Sequence, residues 1–189
     1  MIHKTARIHP TAVIGSDCII GKNVVIREFC SVGSSGFIFP RDSDGNLHHT
    51  PSSGRVVIED NVELFPYVSI DLGTEGDTRI GEGTKIDHYC RIAHNCDIGR
   101  HCVIASSVVF GGHCALGDYS YVGMGAVIKN FISVGSDCLV GMGAVVTKDI
   151  EDGCLVYGVP ARVMGENERG FLYKSRLDEM MIKEGYVER

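Results

Sequence analysis

The stretch from Ile80 to Gly112 reads IGEGTKIDHYCRIAHNCDIGRHCVIASSVVFGG, and every sixth residue from Ile80 to Phe110 is Ile or Phe. The same step continues through Leu116, Val122, Ile128, Val134, Val140 and Val146, so twelve consecutive positions are apolar and in phase. Neither an α-helix nor a simple alternating strand holds a step of six for so long. Three hexapeptides instead close one triangular coil, with a short strand on each face and a turn at each corner. Successive coils then stack at one strand spacing, about 4.8 Å. The frame also runs through Ile8, Ile14, Ile20, Ile26 and Val32, and resumes at Ile58, Leu64 and Ile70. The reading is an all-β fold, a parallel β-helix of hexapeptide repeats over residues 1–164.

The fifth residue of each repeat is small and also faces inward: Thr84, Cys90, Cys96, Cys102, Val108, Cys114, Ser120, Ala126, Cys138 and Ala144. That position accounts for Cys18, Cys30, Cys90, Cys96, Cys102, Cys114 and Cys138, leaving only Cys154 outside the frame. Free cysteine behaves as a small buried hydrophobe. The six-residue spacing lacks the close cysteine pairs of zinc sites, so no metal is expected.

Two interruptions break the frame. The first, about residues 33–56, is GSSGFIFPRDSDGNLHHTPSSGRV, and loops this long in compact domains are usually functional or disordered. Its Phe37-Ile38-Phe39 cluster predicts packing against something. The second, around DLGTEGDT, shifts the frame by four residues between Ile70 and Ile80. After Met164 the pattern changes to NERGFLYKSRLDEMMIKE, with Tyr173, Leu177, Met180 and Met181 on one stripe. This predicts a C-terminal α-helix within an extension over 165–189.

The 189 residues carry a formal net charge of −6. That excludes the basic footprint of a nucleic-acid binder, and no apolar run reaches the length of a membrane span. The N-terminus shows no basic segment followed by an apolar run. A cytoplasmic location is therefore expected, where thiols stay reduced.

Corner residues recur every eighteen positions and form columns along the axis: His94, Gly112, Asn130, Lys148; His88, Ser106, Met124, Met142; and Arg100, Asp118, Ser136. In the first column a glycine permits close approach above His94, and Lys148 stands three coils higher, roughly 14 Å away. That is comparable to an extended pantetheine arm, with a thioester near His94 and phosphates near Lys148. Gly123, Gly125, Gly141 and Gly143 of the GMGA repeats leave backbone amides accessible beside such an arm. A histidine of near-neutral pKa suits acyl transfer, because it takes the nucleophile's proton as the thioester is attacked.

Residues Ser31 to Lys148, through SSGFIF…GRVVIEDNVELFPYVSIDLGTEGDTRIGEGTKIDHYCRIAHN, resemble the solenoid of the UDP-3-O-acylglucosamine N-acyltransferases. The resemblance implies a left-handed helix, with His94 of IAHN as the catalytic base and Asp87 of KID as its helper. It departs from that family at His88, which replaces an asparagine, and at Phe131, near which a second family histidine aligns. The repeats begin at Ile8, so the family's uridine-binding domain is not expected here. The ending GMGAVVTKDI…GVPARVM is similar instead to acetyl-CoA-dependent hexapeptide enzymes that act on amino-sugar nucleotides. It implies Lys148 and Arg162 near the coenzyme's nucleotide, and homotrimers with active sites between subunits.

The leading expectation is transfer of an acetyl or short acyl group from coenzyme A to the amine of an amino-sugar nucleotide. His88, Asn95, His113, Phe37 and Phe39 would line the acceptor site, and Gly112 and Asn130 would contact the donor. The alternative is long-chain transfer from acyl carrier protein. A zinc carbonic anhydrase on the same solenoid, using histidines such as His88, His94, His101 and His113, and a purely structural solenoid are the distant rivals.

Overall fold

At all twelve in-phase positions the side chain points to the axis, and none is more than 2% exposed. Burying a large aliphatic side chain contributes about 1.5–3 kcal/mol, so the repeated position supplies a continuous apolar column. The computed structural model describes residues 1–167 and arranges them around that column as a triangular parallel β-solenoid.

Face 1 holds the strands Arg7–Ile8, Val25–Ile26, Glu63–Leu64, Lys85–Ile86, Val103–Ile104, Tyr121–Val122 and Leu139–Val140. Face 2 holds Val13–Ile14, Ser31–Ser34, Ser69–Asp71, Arg91–Ile92, Val109–Phe110, Val127–Ile128 and Val145–Val146. Face 3 holds Cys18–Ile20, Val56–Ile58, Thr78–Ile80, Asp97–Ile98, Ala115–Leu116 and Ser133–Val134. Corner I, between faces 1 and 2, carries Asp87 and His88. Corner II, between faces 2 and 3, carries His94, and corner III carries Arg100. Most turns place one residue in the left-handed region, such as Tyr89, Asn95, His101 and His113, with φ of 53–60°.

The small inward cysteines do more than fill volume. Cys90, Cys96, Cys102 and Cys114 each donate S–H to the carbonyl fifteen residues on, at 3.0–3.2 Å. Thr84 and Ser120 make the same bond through their hydroxyls at 2.8 Å. Where the small side chain carries a donor, it thus satisfies a backbone acceptor of the next coil, while Val108, Ala126 and Ala144 fill the same position without one. Burial pushes the Cys90 and Cys102 thiols up to about 11.

The two interruptions, residues 35–55 and 72–77, both leave face 2 and return at face 3 in successive coils. Both therefore emerge at corner II, directly below His94. The longer one folds back as a hairpin, with Thr50 N–H donating to the Ile38 carbonyl and Arg41 pairing antiparallel with Leu47. The two segments lock together. Ser53 and Gly54 N–H groups donate to the carbonyls of Thr74 and Gly73, and Arg55 holds Asp77 through two hydrogen bonds of 3.0 and 2.9 Å. A Cβ on Gly54 or Gly73 would collide with the Gly76 carbonyl, so only glycine allows this approach.

At the far end Cys154–Gly158 joins face 1 and pairs antiparallel with Ala161–Glu166. Gly165 and Glu166 thus belong to a strand, where the extension was expected to begin. The helix expected from Asn167 onward lies outside the described residues. Among the described residues no helix is long and apolar enough to cross a membrane.

Candidate active site

Corner II supplies the site. His94 follows strand Arg91–Ile92, and its ring lies against Gly112 of the coil above. A Cβ there would fall 2.6 Å from Nε2 and nearer still to Cε1. From below, Gly36 at the root of the hairpin approaches so closely that its Cβ would stand 3.3 Å from Cδ2. His113 meets the ring edge-on at 5.2 Å and itself stacks on Phe131 at 4.8 Å. Two glycines and an aromatic edge therefore fix the imidazole.

Its tautomer is fixed as well. Asn95 Oδ1 accepts from the Thr74 backbone N–H at 3.0 Å and from the Thr74 hydroxyl at 2.8 Å. The backbone donor identifies that Asn95 atom as oxygen. His94 Nδ1, 3.0 Å from the same atom, must then donate its proton to it. Nε2 is left as an acceptor, the form a general base requires. Asn95 is itself held by its N–H, which donates to the Thr78 hydroxyl at 2.8 Å.

A cavity of about 580 Å³ opens beside His94. Its floor is Ile38, Thr50, Pro51 and Ser53 from the hairpin, with Thr74 and Glu75 from the second segment. Its upper wall is Gly112, His113, Asn130 and Phe131.

The backbone amides of this corner differ from those of corner III. There the amides of Lys22, Glu82, Arg100 and Ser136 are capped by the carboxylates of Asp60, Glu59, Asp118 and Asp152 at 2.7–3.1 Å. At corner II the equivalent amides of His94, Gly112 and Asn130 have no acceptor among the described residues. They present a row of open donors beside the imidazole.

The structure brings His94, His113, Gly112 and Asn130 to one cavity, with Asn95 bonded to His94 Nδ1, and separates other residues from it. Asp87 stands on corner I, where its Oδ1 accepts from His88 N–H at 2.8 Å and from His88 Nδ1 at 2.6 Å. Burial raises the Asp87 carboxyl, but the His88 hydrogen bonds outweigh it and hold the group below the usual carboxylate range. Within one chain Asp87 therefore orients His88, because seven residues carry the chain a full face around the coil. Phe37 and Phe39 also miss the cavity. They pack on each other at 5.0 Å, and Phe37 is 81% exposed. Alternation in the hairpin turns Ile38 to the cavity and the two phenylalanines away from it. Gly123, Gly125, Gly141 and Gly143 lie on corner I, and Gly141 makes room for the Tyr157 ring. Lys148 tops the His94 column, whereas Arg162 sits on the terminal hairpin and donates to the Ala161 carbonyl. Among the described residues no group of three His, Cys, Asp or Glu is placed to hold a metal.

Thr74, Glu75 and Pro51 were not singled out from sequence, and Ile38 only as a member of an apolar cluster. The signal for them was the phase of the two breaks, since both follow a face 2 strand and so must share the corner of His94.

A triangular parallel solenoid of hexapeptide repeats is the architecture of the hexapeptide-repeat proteins, and this chain is one of them. The family model described as bacterial transferase hexapeptide (six repeats) matches residues 1–34 and 77–112. A UDP-3-O-acylglucosamine N-acyltransferase of Methylobacterium nodulans is 38% identical over 148 residues, covering 78% of this chain and 42% of that protein. The chain thus spans less than half the length of that relative. Among solved structures, a UDP-N-acetylglucosamine acyltransferase from Campylobacter jejuni superposes with a TM-score of 0.71 at 27% identity, over 95% of this chain and 80% of that one. A perosamine N-acetyltransferase variant from Caulobacter crescentus, in complex with CoA and GDP-perosamine, shares the fold. Its TM-score is 0.56 at 21% identity, covering 86% and 57% of the two chains.

Proposed function

We propose that this protein is an N-acyltransferase that moves an acetyl or short acyl group from coenzyme A to the amine of an amino-sugar nucleotide. One observation carries the reading: His94 has its Nδ1 proton committed to Asn95 and its Nε2 open beside Gly112. In the reaction the amine nitrogen bonds to the thioester carbonyl carbon, and its proton passes to Nε2. The open amide of Gly112 stabilises the oxyanion that develops on the carbonyl oxygen. The C–S bond then breaks, and the thiolate recovers the proton from His94. No covalent enzyme intermediate is needed.

Lys148, three coils up the same column, is the partner for the donor's phosphates, and Asn130 lies between them. Relatives named for N-acylation of a UDP-linked amino sugar support an amine acceptor bound in the cavity under the hairpin. The reading includes a homotrimer in which corner I of one copy meets corner II of the next. That assembly gives Asp87, His88 and the GMGA glycines a place at a shared site.

The long-chain alternative, with acyl carrier protein as donor, is favoured by the resemblance over SSGFIF to IAHN. Thiol release from acetyl-CoA, measured with a panel of amino-sugar nucleotides in wild type and His94→Ala, tests the proposal. Turnover lost by orders of magnitude in the variant, with CoA binding retained, is expected. Turnover only with acyl carrier protein donors moves the assignment to the long-chain reaction. Full activity in His94→Ala refutes the site.

A further inference from the structure

Four polar residues are buried in the described solenoid: Asp71, Thr78, Thr84 and Ser120. The three hydroxyls are explained by backbone bonding, since each accepts from the amide of Asn95, Cys102 or Cys138. Asp71 is different. It is the only ionisable member of the set and is 3% exposed. A buried charge carries a desolvation penalty, and the fold does not need one here. The same repeat position holds Ala93 and Gly111 in the next two coils.

Its placement supplies the reason. Face 2 register sets Ile70 beneath Ile92, so Asp71 lies one coil below Ala93, next to His94. Arg91 Nη2 holds Asp71 Oδ2 at 2.5 Å, reaching in from a side chain that is partly exposed. Burial pushes the Asp71 carboxyl up, while Arg91 and the nearby His94 act in the opposite direction.

We propose that Asp71 is a positioning residue for His94: a buried carboxylate, kept charged by Arg91, whose field stabilises the imidazolium that His94 becomes when it accepts a proton. This deepens the assignment of His94 as general base and rests on it. Within the same chain Asp87, the carboxylate expected in this role, is committed to His88 on another corner. The other charged or titratable groups around His94 are Glu75 on the cavity floor, His113 above, and His49, whose Nε2 bonds the Gly36 carbonyl behind the ring. Glu75 is exposed, so water screens it strongly.

The test titrates the His94 imidazole by NMR, assigned with His94→Gln, in wild type, Asp71→Asn, Asp71→Ala and Glu75→Gln. The alanine variant guards against a folding defect, because Ala93 already occupies the equivalent position one coil up. The midpoint is expected to move to lower pH by about half a unit or more in both Asp71 variants. In Glu75→Gln it should move by no more than about a fifth of a unit. The acid limb of kcat/KM should follow the same displacement in any variant that turns over. A midpoint that stays within about a fifth of a unit in both Asp71 variants, or moves equally in Glu75→Gln, overturns the proposal. The NMR reading needs no turnover, so failure of the acyltransfer assignment remains distinguishable.

Discussion

Substituting Gly112 by alanine places a methyl group against the proposed base. The new Cβ would stand 2.6 Å from His94 Nε2 and closer to Cε1, well inside van der Waals contact. To restore ordinary contact the ring must retreat by about 1 Å. Gly36 blocks its lower side and His113 its edge, so the retreat must break the Nδ1 bond to Asn95. Misplacement on that scale lowers a rate about 100-fold, or about 2.7 kcal/mol of barrier. Thioester binding depends on the rest of the column, so KM for the donor should change by less than about threefold. Gly112 does not occupy the left-handed region, and alanine adds no backbone strain. The melting temperature should therefore stay within a few degrees of wild type. Steady-state thiol release alongside thermal unfolding measures both quantities. A folded Gly112→Ala protein with near-wild-type kcat would refute the placement of the imidazole at the reacting carbonyl.

Asn95→Leu removes the acceptor that fixes the tautomer and leaves the Thr74 amide unpaired, so kcat should fall about 10- to 100-fold. Imidazole ¹⁵N shifts should show mixed tautomers for His94, and an unchanged Nδ1–H signal would contradict the assignment. Cys102→Ala removes the bond to the Gly117 carbonyl and opens a small void, which should cost about 1 kcal/mol in denaturant unfolding. Cys102→Ser, chemically like Thr84 and Ser120 in the adjacent coils, should cost less, and the reverse order would remove the donor role. Arg55 holds the Asp77 carboxyl below the usual range. Its stabilising contribution is thus fully present above the unfolded-state pKa and lost as pH falls through the lower, folded value. Protection factors against hydrogen exchange at Ser53, Gly54 and Thr78 should fall below about pH 4, and Asp77→Asn should abolish that fall.

The sequence carried the solenoid because a step of six permits few alternatives once it has run twelve times. The His94 column was equally legible, since corner position follows from counting by eighteen. The phase of the two breaks carries their common corner too, although it was not read from the sequence, and only three dimensions reveal that Gly54, Gly73 and Gly76 let them interlock. Side-chain direction in the hairpin was harder to read. Phe37 and Phe39 outrank Ile38 as binding residues by composition, yet alternation gives the cavity to Ile38. Asp87 bonds His88 on corner I within one chain; a resemblance transfers residue identity without saying which subunit or corner a partner occupies. Asp71 was hidden at the edge of an insertion, one residue after the in-phase Ile70, where the other coils carry Ala93 and Gly111.

The sulfur-bearing core gives this chain a built-in set of depth gauges. Seven thiols stand at known heights, from Cys18 and Cys30 near one end to Cys138 near the other, each shielded within the stack. Repeat architectures open by fraying of neighbouring units as well as all at once. Alkylation followed by peptide mass analysis can tell these events apart here without any introduced label. Ragged opening would tag Cys18 and Cys138 before Cys96 and Cys102, whereas all-or-none unfolding would tag all seven at one rate.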